Sequence, residues 1–410
     1  MIDNVLFLSR FSNGNINSRP DTYSIWDAYK YGLKSHIANF VSYDYYDLYF
    51  ENGKKRFEDI IEKIIENKNI KYLFIGFAAE DFTFDLNFLK YIKNKYKLCI
   101  INTSQDPETF FENRDRYYNQ IADYILPFTV LPNNYIYKYY NLDAITLYSI
   151  YNKSMFNNLD IPKIYDVSFI GNVNKADRKE IINYLKQNGI NLQTYGPGSE
   201  NGFVDHKKMI EIINSSKINL NFTDSALSEG FDFNTNTNFS IGTKINSRIQ
   251  QAKGRLIEIF LTNSFCLTQE GEGSRKLFDD DRIIFKDKKD LLKKIKYYLE
   301  NIEEKEQITN ELYKQSLEFD AKNRFSKILP KLKYKSKVID KLFIDKNFIR
   351  DYTSYHFLFF FNFLFKGNIK KLKYEINIFF KYHIFDIKTI WYHLKMQYLY
   401  AYRRYKRLKK

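Results

Sequence analysis

Residues 57–77 read FEDIIEKIIENKNIKYLFIGF. In 57–67 the apolar residues recur at helical spacing, which predicts an amphipathic helix. Residues 71–77 form a short apolar run that predicts a strand. Strand-like runs flank this pair at 5–8 and 98–102, and weaker ones follow at 124–126 and 146–148. A helical run covers 29–40. Strand, helix, strand at this rhythm is the signature of βαβ units and a parallel sheet.

A second set of the same kind follows residue 161. Strands are predicted at 167–172, 191–195, 217–222, 265–268 and 281–285. Helices are predicted at 177–188, from a cap at Asp205 to about 215, at 247–261, 287–300 and 304–317. A long polar stretch, 223–243, shows no periodicity. The expected fold is therefore α/β, with two Rossmann-like domains at 1–160 and 161–330 facing across a cleft. Beyond 330 the strand signals stop, and 331–410 reads as a basic, aromatic-rich helical extension.

Composition narrows the function classes. The chain has 410 residues, which at about 100–200 residues per domain allows two or three domains. Its 44% hydrophobic content can build large cores, so wholesale disorder is excluded. Two cysteines, both in apolar runs, exclude a disulfide framework or a cysteine zinc site. The five histidines show no metal-ligand spacing, so no metal is expected. No apolar stretch reaches the roughly 18–20 residues of a membrane span, and the start of the chain lacks a basic leader. A cytoplasmic protein is expected.

The net charge of +15 invites a nucleic-acid reading, but its distribution argues against it. Residues 331–410 hold 20 Lys+Arg and 5 Asp+Glu, so the whole excess lies there and residues 1–330 balance. With a neutral body and no readout motif, no nucleic acid is expected. The extension reads as an anionic-membrane surface, at the inner face of a membrane, or as a self-association element.

Paired sheets of this kind bind ligands at the carboxyl ends of their strands, where helix N-termini favour phosphates. Arg255 and Glu258 stand three apart on one helix face, and Glu258 could accept the vicinal hydroxyls of a ribose while Arg255 holds a diphosphate. The plainer reading is a surface ion pair. Gly271, Glu272 and Gly273 follow a strand and open a helix, a turn that can set N–H groups against phosphates. On the other sheet, Asp106, Asp81 and Glu80 stand at strand ends as candidate bases. Their plainer readings are a turn or cap for Asp106 and a solvated loop for the other two.

The segment GRLIEIFLTNSFCLTQEGEGSRKLFDDDRIIFKDKKDLLKKIKYYLE, 254–300, resembles the C-terminal domain of CgeB-like glycosyltransferases of the GT-B fold. The shared features are Arg255, Glu258, Gly271, Glu272, Leu277-Phe278, Ile283-Ile284-Phe285 and Tyr298-Leu299. VSFIGNVNKADRKEIINYL, SSKINLNF and NTSQDPETF resemble further segments of that family. The resemblance implies sugar transfer from a nucleotide-sugar, a UDP- or GDP-sugar, to a glycan, lipid-linked or protein acceptor without a metal. It implies that Glu258 binds the donor ribose and Arg255, with Lys253 or Arg178, the phosphates. Gly171 and Asn172 would line the first turn, and Gly271, Glu272 and Gly273 the turn beside the donor sugar. One departure is Gln250, where many retaining members carry a second glutamate. It leaves open the stereochemistry and a non-catalytic nucleotide-sugar-binding or regulatory role.

Overall fold

The computed structural model describes residues 2–11, 23–78, 81–104, 111–128, 144–147, 149–175, 177–223 and 254–382, with 391, 394 and 398. The first half of the chain builds one five-stranded sheet. β1 (Val5–Ser9) is followed by α1 (Ile25–Lys34) and β2 (Phe40–Asp44), then by α2 (Tyr45–Asn52), α3 (Lys54–Asn67) and β3 (Tyr72–Phe77). α4 (Leu86–Tyr96) leads to β4 (Cys99–Ser104), and the helical turns Phe111–Asp115 and Arg116–Tyr118 lead to β5 (Tyr124–Pro127). All strands are parallel, in the order β2-β1-β3-β4-β5. Every residue of β3 is buried, as a parallel strand covered on both faces requires. The stripe Phe57, Ile61, Ile65 of α3 is what covers one face.

The second half repeats the plan. In chain order it holds β6 (Tyr165–Ile170), α5 (Arg178–Gln187), β7 (Leu192–Tyr195), α6 (His206–Asn214), β8 (Ser216–Asn221) and α7 (Gly254–Leu261). β9 (Cys266–Gln269), α8 (Glu272–Leu277), β10 (Ile284–Phe285), α9 (Lys288–Glu300) and α10 (Ile302–Ser316) complete it. The sheet order is β10-β9-β8-β6-β7, again all parallel. Read from its other edge, this is the strand order of the first sheet. Each sheet therefore has a topological switch point, between β1 and β3 and between β6 and β8, where ligand crevices form.

Four local readings are corrected. The first helix stops at Lys34 instead of reaching Phe40, because the chain turns at Ser35 and Phe40 begins β2. β2 lies at the sheet edge and is only half-buried, so its apolar signal is weak. Among the described residues around 146 there is no strand, only a bridge from Ala144 to Ile125, and Tyr148 lies outside the described residues. The strand expected from 281 shortens to Ile284–Phe285, because Asp280 caps a turn through Arg282.

The chain then returns to the first domain. Tyr151 and Asp320 form a parallel bridge, and α11 (Ala321–Ile328) packs on α1. A side chain at Gly32 would stand 2.5 Å from the Phe325 ring, so glycine is what lets these two helices approach. After an extended stretch, α12 (Lys346–Phe365) and α13 (Ile369–Lys381) form a hairpin around Gly367, whose φ of +63° suits glycine. Phe348, Tyr352, Tyr355, Phe359, Phe363 and Phe379 of this hairpin share one core with α3, α4 and the strands of the first sheet. Inside that core, Glu375 accepts from the Tyr49 hydroxyl at 2.7 Å and lies 3.0 Å from Nδ1 of His356. The part of the extension that is described is thus an integral layer of the first domain. Among the described residues no helix is long and apolar enough to cross a membrane.

Candidate functional site

In parallel sheets the helix after each strand begins at that strand's carboxyl end. α5, α6, α7 and α8 therefore present their first turns at one edge of the second domain, with N–H groups that lack intrahelical partners. The turns there are built for close approach. Gly171, after β6, donates its N–H to Tyr195 O at 2.9 Å. Gly196, at φ +108°, lies so near that a side chain would stand 2.4 Å from Gly171 O. A side chain on Gly171 itself would meet the Phe169 ring at 2.7 Å. Asn172 closes the turn by accepting from the Asn174 N–H at 2.9 Å.

Arg178, the first residue of α5, is buried and bridges the switch point. Its guanidinium donates to Asn172 O at 3.0 Å and Phe222 O at 3.4 Å, between the Phe169 and Phe222 rings. It therefore clamps the β6 turn to the end of β8 and sets the shape of the crevice. Gly271 and Gly273 are buried where β9 passes into α8, and Ser274 fixes this turn through Gln269 O at 3.0 Å and Gly271 O at 2.8 Å. Glu272 is exposed and pairs with Lys276 at 3.1 Å.

Arg255 and Glu258 form an ion pair of 2.6 Å on the first turns of α7, both half-buried. The Arg255 Nη1 also meets Met209 Sδ of α6. Lys253 and Gln250 lie outside the described residues.

The sequence did not point to what surrounds this pair. Tyr151 has its hydroxyl against Gly254, where a side chain would stand 2.2 Å from it. Burial, and then the Glu258 carboxylate, push its phenol well up, so it stays protonated at neutral pH. Tyr23, from the first domain, stacks on Tyr151 at 6.3 Å and on His206 at 5.4 Å, and its hydroxyl accepts the Asn152 N–H at 2.9 Å. These aromatics seat the two domains on each other beside Glu258. Gly254→Ala is expected to destabilise the protein by about 1–3 kcal/mol, and Tyr151→Phe in the same chain should recover most of that in urea unfolding. A Gly254→Ala protein as stable as the parent would show that Tyr151 yields freely.

On the first domain, Asp81 is fully buried. It accepts from the Tyr45 hydroxyl at 2.8 Å, the Thr83 N–H at 2.9 Å and Arg10 Nη1 at 3.3 Å. Both carboxylate oxygens are engaged, so it is not the solvated loop residue of the plainer reading, and it serves as a strut joining the ends of β1, β3 and α2. Asp106 and Glu80 lie outside the described residues. Asp44, at the end of β2, accepts the N–H groups of Phe11, Tyr46 and Asp47, while burial pushes its carboxyl up to about 6. Among the described residues no cluster of three or more His, Cys, Asp or Glu side chains is placed to hold a metal.

Comparison with known proteins agrees with this architecture. Residues 178–330 match a family model described as glycosyl transferase-like. No curated protein matches the sequence. Among solved structures, the chain is similar to the Anabaena protein Alr3699/HepE in complex with UDP, with a TM-score of 0.52 at 11% identity, over 80% of this chain and 100% of that one. The complex of the same protein with UDP and glucose gives a TM-score of 0.51 at 9% identity, with the same coverage. A sucrose-phosphate synthase from Thermosynechococcus elongatus is more distant, with a TM-score of 0.47 at 9% identity over 80% of this chain and 88% of that one. Two Rossmann-like domains of matching strand order, joined across an aromatic seat and carrying a helical C-terminal layer, make this chain a GT-B fold.

Proposed function

We propose that the protein is a hexosyltransferase of the CgeB-like kind, which moves a sugar from a nucleotide-sugar to a glycan, lipid-linked or protein acceptor. The observation that carries this reading is the Arg255–Glu258 pair on the first turns of α7, beside the glycine turns after β6 and β9. Glu258 offers a carboxylate to the ribose hydroxyls. Arg255 turns its planar fork from Glu258 towards a diphosphate. As the bond to the anomeric carbon breaks, charge builds on that leaving group. Arg255 and the first-turn N–H groups of α7 and α8 stabilise it without a metal. Arg178 keeps the crevice in shape. The UDP bound by the Anabaena protein of like fold favours a uridine nucleotide.

Thermal-shift screening of UDP, GDP and their sugars tests the donor reading, because specific binding raises stability by mass action. A panel without any shift would end it. Transfer or hydrolysis of the donor that binds then separates an enzyme from a binding protein. The binding-only alternative has one observation in its favour: Asp81 is tied up in the first domain and offers no ready base.

The acceptor side has a membrane-facing surface in this reading. Phe365 is 83% and Ile369 77% exposed at the tip of the α12–α13 hairpin, among Lys366, Lys370 and Lys373. Trp391, Leu394 and Tyr398 are exposed as well. Apolar rings ringed by lysines suit an anionic bilayer surface. Phe365→Glu with Ile369→Glu should cut sedimentation with phosphatidylglycerol vesicles about tenfold or more. Unchanged vesicle binding would remove the hairpin tip from the membrane contact, and a dimer that this double substitution dissociates would replace the membrane by self-association.

A further inference from the structure

The loop from Gly196 to Asp205, between β7 and α6, forms a closely tied rim at the carboxyl end of the second sheet. Gly196 donates its N–H to Gly202 O at 2.6 Å, which closes the loop on itself. Inside it, Ser199 Oγ donates to Gly196 O at 2.6 Å and Asn201 Nδ2 to Thr194 O at 3.0 Å. The Val173 N–H donates to Pro197 O at 2.9 Å and so ties the rim to the turn at Gly171 and Asn172. Gly202 then turns the chain at φ +65°, Val204 packs on the core of the domain, and Asp205 caps α6 through the Lys208 N–H at 2.7 Å. Phe203, between these anchors, is 70% exposed.

A single exposed apolar side chain is ordinary on a protein surface. What distinguishes Phe203 is its place. Among the described residues of the second domain no other aromatic is as exposed. The next, Tyr297, is 45% exposed and stands in the last turn of α9, at the opposite edge of the sheet. Both ends of the rim lead to the groups that would hold a nucleotide. On one side Gly196 stands against Gly171. On the other, the first turn of α6 carries His206, stacked on Tyr23 at 5.4 Å, and Met209, whose Sδ meets Arg255. Two extended steps and about one helical turn separate Phe203 from Met209, a reach of at most about 14 Å.

A ribose at Glu258 and a diphosphate at Arg255 leave the third part of a nucleotide, its flat base, without a partner among the groups described so far. Every nucleobase has a π face, and stacking on an aromatic ring needs no hydrogen bond from it. Covering the ring also removes its apolar surface from water. We propose that Phe203 is the platform on which the nucleobase of the donor stacks. This inference rests on the nucleotide-sugar reading of the crevice and adds to it the residue that holds the base.

Titration of the full chain and its variants with UDP and with GDP tests it. Phe203→Ala should lose about tenfold in affinity for whichever nucleotide the parent holds more tightly, the usual effect of removing a stacked ring. Phe203→Leu keeps apolar bulk without a π face and should lose affinity as well, whereas Phe203→Trp should bind as the parent does. Urea midpoints of all three should match the parent, because the side chain is exposed. In Phe203→Trp the bound nucleotide should quench the new indole, read as the difference from the parent with its Trp26 and Trp391. Parent-like affinity in Phe203→Ala or Phe203→Leu, or an indole that bound nucleotide leaves unquenched, would overturn the inference and leave the donor reading standing. A parent that binds neither UDP nor GDP would overturn both.

Discussion

Glu258→Ala is expected to lose about 10–100-fold in affinity for the nucleotide diphosphate, the effect of removing an acceptor of charged hydrogen bonds. The reasoning rests on where the carboxylate stands. It is on the first turns of α7, half-buried, 2.6 Å from Arg255 and close to the protonated Tyr151 hydroxyl. In a purely structural role it would be a partly exposed ion pair, worth at most about 1 kcal/mol. The folding stability of Glu258→Ala should therefore fall by no more than about that amount, while nucleotide binding collapses. Titration of UDP, paired with urea unfolding of the same protein, reads both quantities. Parent-like affinity would remove the ribose role. A large loss of stability would instead make the pair a fold element. Arg255→Lys sharpens the result: it keeps a charge but loses the planar fork, so turnover should drop even where the nucleotide still binds.

Phe359→Ala is expected to destabilise the protein by about 3–5 kcal/mol, the usual result of emptying a buried phenylalanine site. Phe359 is 1% exposed, and its ring centroid stands 4.3 Å from Tyr49, 5.5 Å from Tyr46 and 5.6 Å from Tyr355. It joins α12 to α2, an element some 300 residues earlier in the chain. Urea unfolding monitored by circular dichroism gives the cost. A loss below about 1 kcal/mol would mean that the hairpin is a detachable tail and not part of the first domain's core. Nucleotide binding should persist in whatever fraction remains folded, because α12 packs in the core of the first domain and the Arg255–Glu258 pair stands on the second.

The alternation of strand and helix was legible from sequence because burial imposes a local period. Ile61 and Ile65 mark a helix face whatever covers them, and Tyr72 to Phe77 read as a strand because both faces of a parallel sheet are covered. β2 escaped notice for the converse reason: an edge strand is half-exposed, and its period is diluted by Ser42 and Asp44. The Arg255–Glu258 spacing was equally legible, because three residues apart on a helix means one face.

What the sequence by itself determined, then, was the two α/β halves, the position of the charge excess, and the chemistry available on α7. Tertiary structure decided which of those groups were free to act. Asp81 became a buried strut because Arg10 and Tyr45, 71 and 36 residues away, converge on it. Tyr151 and Tyr23 came to flank Glu258 because the two domains seat on one another there. Much of the aromatic face of 346–381 turned inward onto the first sheet, while Phe365 and Ile369 at its tip and Phe380 at its far end stayed exposed. Periodicity reveals that a side chain has an apolar or charged face. It carries no information about which distant segment covers that face, because such contacts are set by how whole elements pack.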